Sequence, residues 1–211
     1  DVAVIFGLPG VQLDWAFDAL YAVQDRIRVI HTRHEQATSY MADGYARTTG
    51  RPGVCLVVPG PGLLNAASGL ATAYACSSPV LCLAGQIASD LIDRGRGVLH
   101  EVPRQLELAG SFTKWAARAL APGEVPGLVA EAFAQMASGR PRPVLIEVPP
   151  DVLQAVGDVG AIEPGAAPSR PSGDPDLLEA AAKALGEAKQ PVIFVGGGIL
   201  RAEAWEELRE L

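Results

Sequence analysis

Short apolar runs alternate along the chain with longer stretches in which apolar residues recur at helical spacing. That alternation is the mark of an α/β fold, a parallel sheet covered by helices on both faces. Residues 2–6 predict a first strand, closed by a turn at Gly7-Leu8-Pro9-Gly10, and Leu13, Ala16, Phe17 and Leu20 mark the inner face of a helix. A second strand is expected at 27–31. The helix after it, from Glu35 to about Thr48, carries Tyr40, Met41 and Tyr45 on its apolar side and stops at Gly50-Arg51-Pro52-Gly53, because Gly and Pro do not prolong a helix cheaply. A strand at 54–58, a Pro/Gly turn and a helix from about Leu63 to Cys76 follow. Then come a strand at 80–84, a long loop over 86–100, a strand at 114–119, a helix near 124–138 and a strand at 144–148.

The pattern breaks after Pro150. Residues 151–175 are read as a linker, since they are rich in Gly, Pro and Ala and offer little to pack. Residues 176–211 then predict a helix at 177–185, a strand at 191–195, a Gly196-Gly197-Gly198 turn and a helix running to Leu211. One strand between two helices cannot close a core, so this part is expected to be the start of a second α/β domain cut short. The first domain is placed at 1–150.

Composition narrows the classes. Of 211 residues, 49% are hydrophobic, enough for a sizeable core. The formal charge of −7, from 24 acidic and 17 basic residues, argues against nucleic acid or an anionic membrane surface as a partner. No charged residue stands between Arg51 and Asp90. Pro59, Gly60, Pro61, Gly62 and Pro79 nevertheless cut that stretch into pieces shorter than the roughly 20 apolar residues a membrane span needs. Cys55, Cys76 and Cys82 form no CxxC or zinc-ligand spacing and are expected to be small buried hydrophobes of a cytoplasmic protein.

Candidate chemistry centres on Arg33-His34-Glu35-Gln36-Ala37, leading to Ala42-Asp43-Gly44-Tyr45-Ala46-Arg47. From the residues alone Glu35 has two readings: a carboxylate complementing a helix dipole, or one placed to share a proton with a ligand. His31, His34 and Glu35 together suggest a metal cluster only weakly, because no pair is spaced i,i+4 on a helix; no metal ligands are assigned. The segment resembles the RHE…(A/E)(D/E)GYAR signature of the pyrimidine-binding domain in thiamine-diphosphate-dependent enzymes, the acetolactate synthase group above all. Further pieces follow in the same order: Phe6-Gly7-Leu8-Pro9-Gly10, Gly60-Pro61-Gly62-Leu63-Leu64-Asn65, Pro79-Val80-Leu81 to Gly85-Gln86, Phe112-Thr113-Lys114-Trp115, and Arg142-Pro143-Val144-Leu145-Ile146-Glu147-Val148-Pro149. The likeness covers 1–150, and the tail resembles the start of the family's central domain.

The resemblance implies that Glu35 hydrogen-bonds N1′ of the aminopyrimidine and thereby helps thiamine diphosphate to lose its thiazolium C2 proton. It puts Pro9, Pro61, Asn65 and Gln86 in the pyrimidine pocket; for Asn65 a turn or helix-capping role stands beside that one. A hydroxyl residue common in the family is replaced here by Val58. Where acetolactate synthases have Phe-Gln-Glu, this chain has Leu99-His100-Glu101. His100 is accordingly a candidate proton donor or substrate ligand, against the reading of a solvated loop histidine, and the departure leaves decarboxylase, lyase and carboligase activities open.

The implied activity is that of a lyase or transferase acting on 2-oxo acids, in a homodimer or homotetramer whose active site lies between subunits. Mg²⁺ would be held by a separate domain with a GDG…N motif, which this chain lacks, so the chain alone is expected to be inactive. Two alternatives stay open: a module binding NAD or FAD through Gly196–Gly198, although the run is not GxGxxG, and a noncatalytic relative.

Overall fold

The computed structural model describes residues 2–160 and 172–211; the middle of the expected linker, 161–171, lies outside them. The chain divides into two compact units, Asp1–Pro168 and Ser169–Leu211.

In the first unit the strands are β1 (Val4–Gly7), β2 (Arg28–His31), β3 (Gly53–Val57), β4 (Val80–Gly85), β5 (Trp115–Arg118) and β6 (Val144–Val148). They form one sheet in the order β2-β1-β3-β4-β6-β5, and every pairing is parallel. Sequence and position agree. β3 and β6 are buried along their whole length, whereas β2, at an edge, is half-exposed. A strand covered on both faces is apolar along nearly all its length, which is why 51–90 reads as an uncharged run; β6 departs from this at one buried position, Glu147.

The helices are α1 (Asp14–Tyr21), α2 (Glu35–Thr49), α3 (Pro61–Cys76), α4 (Gln105–Ala109), α5 (Val125–Ala137) and α6 (Pro150–Gln154). One core packs Ala42, Ala46, Leu63, Ala66 and Leu70 of α2 and α3 onto Cys55, Val57 and Cys82. On the other face Ala16, Phe17, Leu20, Ala132 and Met136 of α1 and α5 cover Ile5, Leu56, Leu81 and Ile146. Right-handed crossovers require this split: β1 is followed by a step to one side (β2) and β3 is reached by a step back across it. The chain therefore changes direction between β1 and β3.

The expected strands and long helices recur within a residue or two, while α4 and α6 were not anticipated. Val152 and Leu153 join the core, so the packing continues past Pro150 into residues that composition alone assigns to a linker. Cys55 and Cys82 are buried, as expected, but Cys76 is exposed, since it closes α3 at the surface. Cys55 faces Cys82 across β3 and β4; a hydrogen bond with Cys55, together with burial, pushes the Cys82 thiol up, which keeps it protonated and inert.

Asp151 ties α6 to the loop after β4. Its carboxylate accepts from the Ser89 N–H at 2.9 Å and from the Ser89 hydroxyl at 2.5 Å. Partial burial works upward on its pKa, but the Ser89 bonds and its own backbone N–H outweigh that and hold it below the ordinary 3.8. A depressed carboxylate stabilises the fold above its unfolded pKa and loses that contribution as pH falls through the folded one. Asp151→Asn is therefore expected to lower Tm near neutral pH, with the gap to the parent chain closing as pH is taken below 3.8.

In the second unit α7 (Pro175–Glu187) begins at Asp174, whose carboxylate accepts from the Asp176 and Leu177 N–H groups, an ordinary N-cap. The strand expected at 191–195 is not formed. A strand needs a neighbour for its N–H and C=O groups, and none is present among the described residues; Val192 and Phe194 are 79% and 98% exposed. The helix expected to run to Leu211 is two pieces, α8 (Gly198–Ala202) and α9 (Trp205–Glu210), separated where Glu203 takes a left-handed φ of 55°.

Candidate active site

In a doubly wound sheet, ligands bind outside the carboxyl ends of the strands where the strand order reverses. Here that point lies between β1 and β3. The loops leaving them are Leu8-Pro9-Gly10 and Val58-Pro59-Gly60-Pro61, and they touch. The Leu8 N–H donates to the Leu56 carbonyl at 3.2 Å. Gly10 lies so close to Val58 that an added methyl would sit 2.4 Å from Val58 Cγ1. Pro9 and Pro61 are both exposed at this end, Pro61 as the first residue of α3, where its missing N–H costs nothing.

Glu35 is the first residue of α2 and half-buried. His34 caps that helix, its Nδ1 accepting from the Gln36 N–H at 3.2 Å, so the histidine serves the backbone beside Glu35. The ring of His31 packs on Phe17, 5.8 Å between centroids. Among the described residues no three His, Cys, Asp or Glu side chains gather as a metal would require.

Asn65 reaches from α3 and donates through Nδ2 to Glu35 Oε2 at 3.0 Å. The other oxygen, Oε1, faces Gly62, where a methyl group would come within 3.4 Å of it and 2.5 Å of Val58 Cγ2. One oxygen is held while the other looks onto backbone that carries no side chain. A carboxylate oxygen left without a side-chain partner in this way can accept a hydrogen bond or share a proton with another group. Val58, a hydrocarbon that is 6% exposed, forms an apolar wall next to it.

His100 belongs to the same end of the sheet. Gly60 has φ +56° and ψ −115°, a conformation open to glycine alone, and a methyl there would lie 2.2 Å from the His100 carbonyl oxygen. The loop carrying His100 thus rests directly on the turn that starts α3. His100 itself takes φ +68°, a left-handed conformation costing about 1–2 kcal/mol for a residue with a Cβ. Its Nδ1 lies 3.0 Å from Gln12 Oε1.

Gln86 is placed differently from its neighbours. It is 2% exposed and spends both ends of its amide inside the protein: Nε2 donates to Glu147 Oε2 at 3.2 Å and Oε1 accepts from the Ile87 N–H at 2.8 Å. The same carboxylate accepts from Gln105 Nε2 at 2.7 Å and pairs with Arg118 Nε. Gln105 in turn donates to the Gly85 carbonyl at 3.1 Å and accepts from the Gly60 N–H at 2.6 Å. Gln12, Gln105, Glu147 and Arg118 were not singled out from the sequence. Only Glu147 carries a readable signal, a carboxylate in the middle of an otherwise apolar strand.

These features define a doubly wound α/β domain with a hydrogen-bonded carboxylate at the switch point of its sheet. Comparison with known proteins makes the class specific. Residues 1–108 match the family described as thiamine pyrophosphate enzyme, N-terminal TPP binding domain, and the chain belongs to that family. It is 41% identical over 211 residues to the probable 2-ketoarginine decarboxylase AruI of Pseudomonas aeruginosa, covering 99% of this chain and 37% of that protein. It is 39% identical over 214 residues to an acetolactate synthase of Arthrospira platensis (98% and 36%). With a probable acetolactate synthase large subunit of Methanocaldococcus jannaschii it shares 40% over 217 residues (100% and 36%). The chain thus spans little more than a third of the length of the relatives it matches.

Proposed function

We propose that this chain is the aminopyrimidine-binding part of a thiamine-diphosphate-dependent lyase or transferase that decarboxylates 2-oxo acids or joins them to a second carbonyl. The observation that carries this reading is the Glu35–Asn65 pair, with Oε2 fixed and Oε1 directed at Gly62. When bound, thiamine diphosphate supplies the electron sink that a 2-oxo acid needs for loss of CO₂. Glu35 Oε1 shares a proton with the ring nitrogen of the aminopyrimidine, and Asn65 keeps the carboxylate from turning away. Pro9, Pro61 and Val58 present apolar surface to the ring. Gln86 acts on the pocket from beneath, through Glu147 and Gln105. His100, above the Gly60 turn, exchanges a proton with the substrate.

Mg²⁺ belongs to this reading as the partner of the diphosphate, held by residues outside this chain. FAD has nothing in its favour here beyond the Gly196–Gly198 turn. Tyr40, Met41 and Leu64 on α2 and α3 are 42%, 39% and 45% exposed, which supports a second copy covering these helices in a homodimer or homotetramer. Among the described residues no helix is long and apolar enough to cross a membrane, and a cytoplasmic setting fits the reduced cysteines.

The test is CO₂ release by the longer natural protein, freed of cofactor and supplied with a panel of 2-oxo acids that includes 2-ketoarginine. Release that depends on added thiamine diphosphate and Mg²⁺ is the expected result. Cofactor-independent release, or none from any acid, overturns the reading.

A further inference from the structure

Gln12 occupies the short 3-10 turn Val11–Leu13 that follows β1, and it is 8% exposed. Its Nε2 donates to the Leu99 carbonyl at 3.3 Å, while its Oε1 lies 3.0 Å from His100 Nδ1. The first contact decides the second. A backbone carbonyl can only accept, so the amide nitrogen faces Leu99 and the amide oxygen faces the imidazole. An amide oxygen is also only an acceptor. The proton of neutral His100 therefore sits on Nδ1, and Nε2 carries the lone pair.

We propose that Gln12 is a positioning residue that holds His100 in its Nδ1–H tautomer, so that Nε2 is the nitrogen that exchanges a proton with the substrate. A buried orienting group that fixes one imidazole nitrogen so that the other can react is a general way of preparing a histidine for proton transfer. The geometry around it is consistent with a held side chain. His100 takes a left-handed backbone, its carbonyl lies against Gly60, and Gln12 grips the residues on both sides of the Leu99–His100 peptide. The tautomer follows from this chain alone; its use in the reaction rests on the role given to His100 above.

The chain has three histidines, so a long-range ¹H–¹⁵N correlation spectrum of the 211-residue protein, recorded well above the imidazole titration, contains three ring patterns. That of His100 is the one lost in His100→Asn. An Nδ1–H pattern is expected for His100 in the unsubstituted chain. Gln12→Glu, which keeps an oxygen acceptor for Nδ1–H although it can no longer donate to the Leu99 carbonyl, should retain it, and Gln12→Leu should release the ring to the Nε2–H form that free imidazole favours. An Nε2–H pattern in the unsubstituted chain overturns the proposal without any variant having to fold, as does an unchanged Nδ1–H pattern in Gln12→Leu. In the longer natural protein Gln12→Leu should lower kcat by about 10²-fold, the lower end for a general acid or base, with KM little changed and with rescue by Gln12→Glu. An unaltered kcat overturns the positioning role while leaving the assignment of Glu35, which C2 proton exchange tests separately, intact.

Discussion

Glu35→Gln in the longer natural protein should slow exchange of the thiazolium C2 proton of bound thiamine diphosphate by about 10²- to 10⁴-fold, the range a positioned acid or base contributes. The substitution keeps the shape of the side chain, and Asn65 Nδ2 can still donate to the remaining oxygen, as it does to Oε2 at 3.0 Å. The amide must then turn its NH₂ toward Gly62, where Oε1 now lies. A group able to share a proton with a ring nitrogen becomes one that only donates. Cofactor affinity should change little, because the turns at Pro9 and Pro61 are untouched. Asn65→Ala is the companion. It frees the carboxylate without removing it and should slow exchange less than Glu35→Gln. Deuterium exchange followed by NMR under saturating cofactor reads both, and an unchanged rate in Glu35→Gln removes Glu35 from the chemistry.

The parts of this arrangement visible in the sequence were those with a local cause. The strands 54–58 and 80–84 announce themselves because they are buried on both faces and carry nothing but apolar side chains. Glu35 and Asn65 each had a modest local reading, dipole complement and helix cap. The ordered motifs around them placed both in one pocket, but the contact between them, across thirty positions, was not legible in the sequence. Gln86 shows the limit of such reasoning. Its place at the end of β4 identifies the active end of the sheet, but the direction of its side chain depends on Glu147 on the neighbouring strand. Gln12 was illegible for the same reason: its partners Leu99 and His100 come from a loop remote in sequence. The expected strand at 191–195 failed in the opposite sense. Its composition is right for a strand, but a ladder needs a neighbour that these residues do not have among the described residues.

Truncation of Glu147 should be costly to the first unit. Its side chain is fully buried, and its two oxygens serve three donors: Arg118 Nε, Gln105 Nε2 and Gln86 Nε2. Removing one partner of a buried ion pair costs about 3–5 kcal/mol, because the partner's charge is left behind. Glu147→Ala leaves the Arg118 cation, only 20% exposed, together with two amide groups that have lost an acceptor. A urea titration of the chain should show a loss of this order for Glu147→Ala. Arg118→Met combined with Glu147→Leu should recover part of it, since apolar replacement removes both charges. Recovery should stop short of the parent chain, because Gln86 and Gln105 would still lack their acceptor. Gln105 carries the consequence upward. Its Oε1 holds the Gly60 N–H at 2.6 Å, and Gly60 supports both the first turn of α3, from which Asn65 reaches Glu35, and the carbonyl of His100. Gln105→Leu should therefore cost less stability than Glu147→Ala and yet weaken the hold on His100, seen as a change in its ring ¹⁵N pattern. If Glu147→Ala unfolds at the same urea concentration as the parent, the buried pair has no structural weight and the brace beneath the active-site turn must be assigned elsewhere.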